Sequence, residues 1–305
     1  MNVNRKKPEA FTKESLKRYV NLPDGLESTL FEAASHALEA EGSFSRANIA
    51  IGAGEILDMD TSRAEAIGAS IELFHLASLI LDDLPCMDDA SMRRSKECAH
   101  SVYGEGAAIL AALGFINRAY SLLWDLFSEV GKEQQLEAAD LVNDCLGFSG
   151  ILDGQSRDIH FEDSAGLGAE VRQIASQKTG SLIRLCLLLP AILSSASRYD
   201  KMHLTRLAQY WGIAYQVADD LKDIYLGDAA SGKTTRRDAL LGRPNMALAI
   251  GEQAAARMLK DVIVDAERCL CQLPDPEWGG TSALDLFQEQ LTSKAQPLIV
   301  AHCAA

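Results

Sequence analysis

No proline interrupts the chain between Pro85 and Pro190. Proline is the residue least compatible with a helix interior, and across this stretch apolar residues recur three and four apart. Ala107, Leu110, Leu113 and Ile116 form one such set, and Val171, Ile174, Leu182 and Leu185 form another. That spacing is helical. Elsewhere it predicts helices over Leu26–Ala40, Ser62–Leu84, Leu204–Leu226, Met246–Leu270 and Leu284–Ala301, and no series of alternating, strand-like segments accompanies them. Ile71–Leu81 and Ser181–Leu193 are apolar almost all round, the pattern of helices buried at the centre of a bundle. Pro190 is expected to kink a long helix or to end it. The polar or Gly-containing breaks at about 129–134, 161–168, 227–238 and 273–282 are too short to link separate domains. The expected fold is one all-α domain spanning residues 1–305.

Composition narrows the function classes. Apolar residues make up 48% and charged residues 24% of 305, which gives a globular chain with a sizeable core. No uninterrupted apolar run reaches the ~18 residues that span a bilayer. The polar start, Met1 to Glu14, lacks the apolar stretch of a secretory leader. Cytoplasmic location without stable membrane insertion is therefore expected. With 29 basic against 43 acidic residues, net charge −14, general affinity for nucleic acid is not expected. The seven cysteines show no CxxC or Cys/His spacing suited to zinc, only the close pair Cys269 and Cys271, and read as reduced thiols.

Two acidic clusters lie against very apolar helices: Asp82-Asp83-Leu84-Pro85-Cys86-Met87-Asp88-Asp89 and Asp219-Asp220-Leu221-Lys222-Asp223. Asp219 and Asp223 share a helix face, where like charges repel unless cations compensate. In the first cluster, Pro85 disfavours continued helix at Leu84, so the chain can loop and bring Asp88 back towards Asp82. Carboxylates without His or Cys suit a hard cation such as magnesium, which takes its remaining ligands from water and phosphate. Solvated acidic helix ends are the plain alternative for either cluster alone.

Basic residues follow the clusters: Arg93-Arg94 after the first, Lys178-Thr179 on a predicted helix, and Lys233-Thr234 and Arg243 after the second. They suit phosphate oxygens; each alone reads as surface charge. Gly227 to Thr234 satisfies GxxxxGK[ST]. A P-loop, however, needs a buried strand before it, and here a long aspartate-bearing helix precedes it.

In these motifs the chain resembles the trans-isoprenyl diphosphate synthases, the polyprenyl synthetase family, from about Glu41 to Asn245. Asp82-Asp83-xxxx-Asp88 followed by Arg93-Arg94 is similar to the first aspartate-rich motif of the geranylgeranyl synthase subgroup. Gln216-xx-Asp219-Asp220-xx-Asp223 is similar to the second. Lys178-Thr179-Gly180, Gly232-Lys233-Thr234, Asp238 and Gly242-Arg243-Pro244 match further elements in order. The resemblance implies a helical bundle around a deep cavity, a homodimer, and a prenyltransferase joining an allylic diphosphate to isopentenyl diphosphate. It implies that Asp82, Asp88 and Asp219 hold magnesium, three ions with substrate bound, and that Asp83, Asp220 and Asp223 complete the acidic walls. It assigns Arg93, Lys178, Gln216 and Lys233 to the allylic diphosphate, with Thr179 and Arg243 beside them. It places Arg46, His75 and Arg94 in the isopentenyl site.

One departure matters. Members usually carry Gly-Gly-Lys-Arg-x-Arg-Pro near the start, and here the stretch reads Glu41-Gly42-Ser43-Phe44-Ser45-Arg46-Ala47. Ser43 and Phe44 replace two cations, whose charge-assisted contacts are worth several kcal/mol. Two readings stay open: a chain elongator binding isopentenyl diphosphate through Arg46, His75 and Arg94, or a terpene-synthase-like enzyme that ionises a prenyl diphosphate alone. A non-catalytic subunit of a heteromeric synthase is a third, disfavoured by the retained aspartates. For product length, Ala77 and Ser78, one turn before Asp82, leave room in the tunnel, and Phe74 a turn deeper supplies a floor. Passage beyond C15 and a stop near C20, geranylgeranyl diphosphate, is expected.

Overall fold

The computed structural model describes residues 9–40, 42–162, 168–225, 242–276 and 279–303. Lys233, with the whole of Gly227–Thr234 and Asp238, lies outside the described residues. Short helices α1 (Lys13–Tyr19) and α2 (Ser28–Leu38) lead into α3 (Ser45–Ile56) and α4 (Thr61–Asp82). Then come a two-stranded hairpin (β1 Met92–Arg93, β2 Lys96–Glu97), α5 (Ala99–Tyr103), α6 (Glu105–Ser128), α7 (Lys132–Leu146) and α8 (Ile151–Ile159). α9 (Gly168–Ala175) runs through a π-helical turn, Ser176–Gly180, into α10 (Ser181–Leu193). α11 (Arg198–Tyr225), α12 (Met246–Ile250), α13 (Glu252–Leu270) and α14 (Ala283–Cys303) complete the described chain.

The architecture is all-α, as the apolar spacing requires. α10 is buried on every side except at Arg184 and packs against α3, α4, α7 and α11. Pro190 sits in its last turn and the helix stops at Leu193, so proline ends the helix here. α4 lies between α3 and α6. Its start is fixed by Asp60, whose carboxylate accepts from the Ser62 and Arg63 amides, as helix caps do. α3 and α4 approach closely because a β-carbon on Gly68 would meet Ala47 Cα at 3.0 Å. The helix expected over Met246–Leu270 is broken at Gly251, whose φ of 88° favours glycine and separates α12 from α13. The tail helix α14 is pinned by buried Trp211, whose indole N–H donates to Gln288 at 2.6 Å.

By length and composition α4 and α6 could each cross a membrane. α4 is instead largely enclosed by its neighbours, whereas α6 leaves Ile109, Leu110, Leu113 and Trp124 exposed on one side. Among the described residues, six cysteines are free thiols, Cys269 and Cys271 included.

Candidate active site

The first acidic cluster forms where α4 ends. Asp82 is its last residue, and the chain folds back so that the Asp88 amide donates to the Asp82 carbonyl at 2.9 Å and the Ala90 amide to the Asp83 carbonyl at 3.1 Å. Burial, opposed in part by Lys178, pushes the Asp82 carboxyl up to about 6. Asp83 is buried and accepts from Arg93 Nε at 2.6 Å. That arginine arrives on the hairpin, whose two-residue turn is Arg94-Ser95, both at positive φ (51° and 65°). This is the backbone that tight two-residue hairpins need.

The π-helical turn carries Lys178, Thr179 and Gly180, and irregular helix of this kind clusters at functional sites. Two glycines admit it. A β-carbon on Gly154 of α8 would lie 2.6 Å from the Lys178 amide nitrogen, and one on Gly212 of α11 would lie 3.0 Å from Gly180 Cα. α8 and α11 therefore clasp the turn from two sides. One helical turn beyond Gly154, Asp158 accepts from Lys178 Nζ at 2.7 Å. Thr179 donates to Gln216 at 2.9 Å, and Gln216 donates to Asp220 at 2.7 Å. The second cluster is thereby tied to the turn that also neighbours Asp82.

Asp220 differs from an open acidic wall. It is buried, and its carboxylate also accepts from the Met246 amide at 2.7 Å, so it anchors the segment that carries Arg243. Asp219 is exposed on the next position of α11, and Asp223 is half-buried one turn further. Arg243 donates to Asp88 at 2.7 Å and lies 3.6 Å from Asp158. Asp88, Arg243, Asp158 and Lys178 thus make a continuous ion chain across the site. Asp158 escaped the sequence reading because a single acid on a helix carries no spacing signal.

A second assembly lies along α4. His75 and Ser78 share the Asp82 face, seven and four residues before it. Burial holds the imidazole pKa well below its ordinary value, with Arg46, Arg94 and Arg93 acting in the same direction. Glu72, buried one turn earlier, has its pKa raised by burial, with Arg46 and Arg94 acting in the opposite direction. Arg46, His75 and Arg94, far apart in sequence, are brought together. Ala77 occupies another face, fully buried on the stripe of Leu73, Ile80 and Leu84. Phe74 packs edge-on against Tyr120 of α6, ring centres 4.9 Å apart.

The Polyprenyl synthetase family model matches residues 27–269. The chain belongs to that family. It is 28% identical over 252 residues to the farnesyl diphosphate synthase of Bacillus subtilis (82% of this chain, 84% of the relative). With the farnesyl diphosphate synthase of Escherichia coli the identity is 31% over 243 residues (79% and 81%). In three dimensions it superposes on a geranyltransferase from Legionella pneumophila with TM-score 0.77 and 26% identity over 93% of this chain and 94% of that one. A geranyltransferase from Helicobacter pylori, solved with magnesium and isoprenyl diphosphate, shares the fold with TM-score 0.76 at 23% identity over 94% and 93%. The protein is a trans-prenyltransferase of the farnesyl/geranylgeranyl diphosphate synthase type.

The acidic residues offer oxygen donors only, the chemistry magnesium prefers. Among the described residues no three Asp, Glu, His or Cys side chains stand grouped as a ready-made cage, and Asp83 and Asp88 are paired with Arg93 and Arg243. Magnesium suits such a site, since it is bound by one or two carboxylates and completed by substrate phosphates.

Proposed function

We propose that this enzyme, a single polyprenyl synthetase domain over residues 1–305, is magnesium-dependent and condenses an allylic diphosphate with isopentenyl diphosphate to a C20 all-trans product. The observation that carries the elongator reading is the convergence of Arg46, His75 and Arg94 around Glu72 beside the Asp82 face. A chain that only ionised one diphosphate would have no use for this second cationic cradle.

Asp82, Asp88 and Asp219 would hold the magnesium. When bound, the metal supplies positive charge against a departing pyrophosphate. Lys178, aimed by Asp158, and Arg93, aimed by Asp83, present fixed cations to the same leaving group, so little reorganisation is needed as charge develops. Gln216, held by Thr179 and Asp220, adds a neutral contact, and Arg243 moves from Asp88 to the diphosphate as substrate enters. Lys233 and Asp223 complete the set. Arg46 and Arg94 seat isopentenyl diphosphate beside the allylic carbon, which turns a two-body encounter into a local step. His75 remains an uncharged hydrogen-bonding partner there. Ser78 lines the prenyl channel and Phe74, backed by Tyr120, floors it; the apolar surround keeps water from the cation.

The exposed apolar side of α6, with Leu136 of α7 beside it, is the surface we assign to a homodimer, since patches of this kind mark association sites. Light scattering at micromolar concentration should give a mass of two chains. The function is tested by product analysis with dimethylallyl, geranyl and farnesyl diphosphates, each with and without isopentenyl diphosphate and with magnesium chelated. Pyrophosphate release that needs both partners and the metal, with a C20 product, is expected. Release without isopentenyl diphosphate, giving a hydrocarbon or alcohol, would overturn the elongator in favour of the terpene-synthase-like reading.

A further inference from the structure

Helix α3 begins without a cap of its own. Phe44, at its N-cap position, has a left-handed backbone (φ 46°) and no side-chain hydrogen bond to the helix. Ser43 is turned aside and bonds Ser45 Oγ at 2.7 Å. The first amides of a helix need acceptors. Here the acceptor comes from another helix: Glu72 of α4 takes the Ala47 amide at 3.0 Å, and the Arg46 amide lies against the same carboxylate. The close approach of Gly68 to Ala47, one turn before Glu72, makes this reach available.

Burial raises the pKa of that carboxyl, and the positive charges of Arg46 and Arg94 act against the rise. Arg94 is kept close by Gly42, since a β-carbon there would lie 2.8 Å from one of its terminal nitrogens. Arg46 Nε is buried and has no hydrogen-bond partner. Two neighbouring guanidiniums repel each other, and a nearby carboxylate offsets part of that cost. A carboxylate at a helix N-terminus is favoured for its own reason.

We infer that Glu72 is a positioning residue for isopentenyl diphosphate, capping α3 from α4 so that Arg46 is fixed in place and stands beside Arg94. The inference rests on the elongator reading above. It explains how the cradle survives Ser43 and Phe44: two cations are gone, and those that remain are preset by a charge from below.

Two variants test it. Glu72→Gln keeps an oxygen for the Ala47 amide and loses the charge, whereas Glu72→Asp keeps the charge at shorter reach. Thermal unfolding, calorimetric titration with isopentenyl diphosphate, and steady-state kinetics with each substrate varied in turn are measured for both. For Glu72→Gln we expect KM and Kd for isopentenyl diphosphate to rise about tenfold or more. KM for the allylic diphosphate should stay within about twofold. Glu72→Asp should recover most of the loss. Unchanged isopentenyl binding in Glu72→Gln, or an equal rise in both KM values, would make Glu72 a structural cap only and overturn the inference. If Glu72→Gln fails to fold, Glu72→Asp decides: a KM rise confined to isopentenyl diphosphate supports positioning, and equal rises refute it. A wild-type enzyme that neither binds nor consumes isopentenyl diphosphate would instead sink the elongator reading, so the two failures are distinguishable.

Discussion

Around Asp82, neighbouring carboxylates are each held by a basic side chain from elsewhere in the chain: Asp83 by Arg93, Asp88 by Arg243 and Asp158 by Lys178. Around Glu72 the ratio is reversed, with one buried carboxylate near Arg46 and Arg94. These carboxylates of the acidic half are already paired, so in the proposed mechanism they exchange partners when metal and diphosphate arrive. The arginine half keeps surplus positive charge and is ready for an anion. The proposed mechanism thus puts ionisation on the half that rearranges, and orientation of the second substrate on the half that is already set.

Asp82 gives the largest expected effect, because it is a proposed metal ligand whose carboxyl burial pushes up to about 6. Asp82→Asn should lower kcat by about 10²–10³-fold, the scale for deleting one preorganised charge interaction. The same change should stabilise the substrate-free protein. The folded-state pKa of about 6 lies above the unfolded value, so the stability linked to this group is fully present below the unfolded pKa and lost as pH rises through about 6. Removing the charge should return about 1–3 kcal/mol at pH 8, seen as a raised Tm. Wild-type kcat/KM should in turn fall as pH drops below about 6, where Asp82 takes up a proton. An Asp82→Asn enzyme less stable than wild type at pH 8 would break the picture of a strained, waiting carboxylate.

Asp158 tests whether the ion chain is organised from one centre. Asp158→Asn leaves Lys178 without its partner and removes the carboxylate that lies 3.6 Å from Arg243. Unfolding should cost about 2–4 kcal/mol less, near the lower range for breaking a buried pair. kcat/KM for the allylic diphosphate should fall about 10²-fold through misplaced cations. KM for isopentenyl diphosphate should hardly move, since Glu72 balances that half separately. Equal losses for both substrates would show that the two halves are one network.

The sequence made the acidic half legible and much of the rest obscure, for identifiable reasons. Clustered aspartates beside apolar helices stand out because the arrangement is costly unless used, and Arg46, His75 and Arg94 were recognisable through a resemblance. Asp158 and Glu72 are single acids on helices, and only the packing of α8 on the π-helical turn and of α4 on α3 gives them partners. Asp220 read as part of an acidic wall, but its burial against the Met246 amide is a matter of which side of α11 it occupies. The break at Gly251 and the hairpin at Arg94-Ser95 depend on positive φ values that spacing does not encode.

Product length separates two neighbours that the sequence treated alike. Ser78 shares the Asp82 face and is half-buried, whereas Ala77 has no exposed surface and faces the stripe of Leu73, Ile80 and Leu84. Ser78→Phe should shorten the main product from C20 towards C15 with little change in Tm, measured by mass spectrometry of the prenyl alcohols. Ala77→Phe should overpack the core and cost about 1–3 kcal/mol in stability. A normally stable Ala77→Phe enzyme with a shortened product would place the channel on Ala77's side of α4.

The smallest effect expected is at Gly42, and it sharpens the contrast most finely. An alanine there brings a β-carbon within 2.8 Å of Arg94, but the obstructed group is the far end of a flexible side chain, so the arginine can swing aside without disturbing α3. No glycine-only φ is involved. Gly42→Ala should therefore leave Tm and the allylic KM unchanged and raise KM for isopentenyl diphosphate about two- to threefold, equivalent to about 0.5 kcal/mol. A change of this size confined to one substrate means that Arg94 is positioned by contact as well as by charge. No change would mean that Glu72 alone holds it, and a loss shared by both substrates would mean that the hairpin carrying Arg93 and Arg94 moves as a unit.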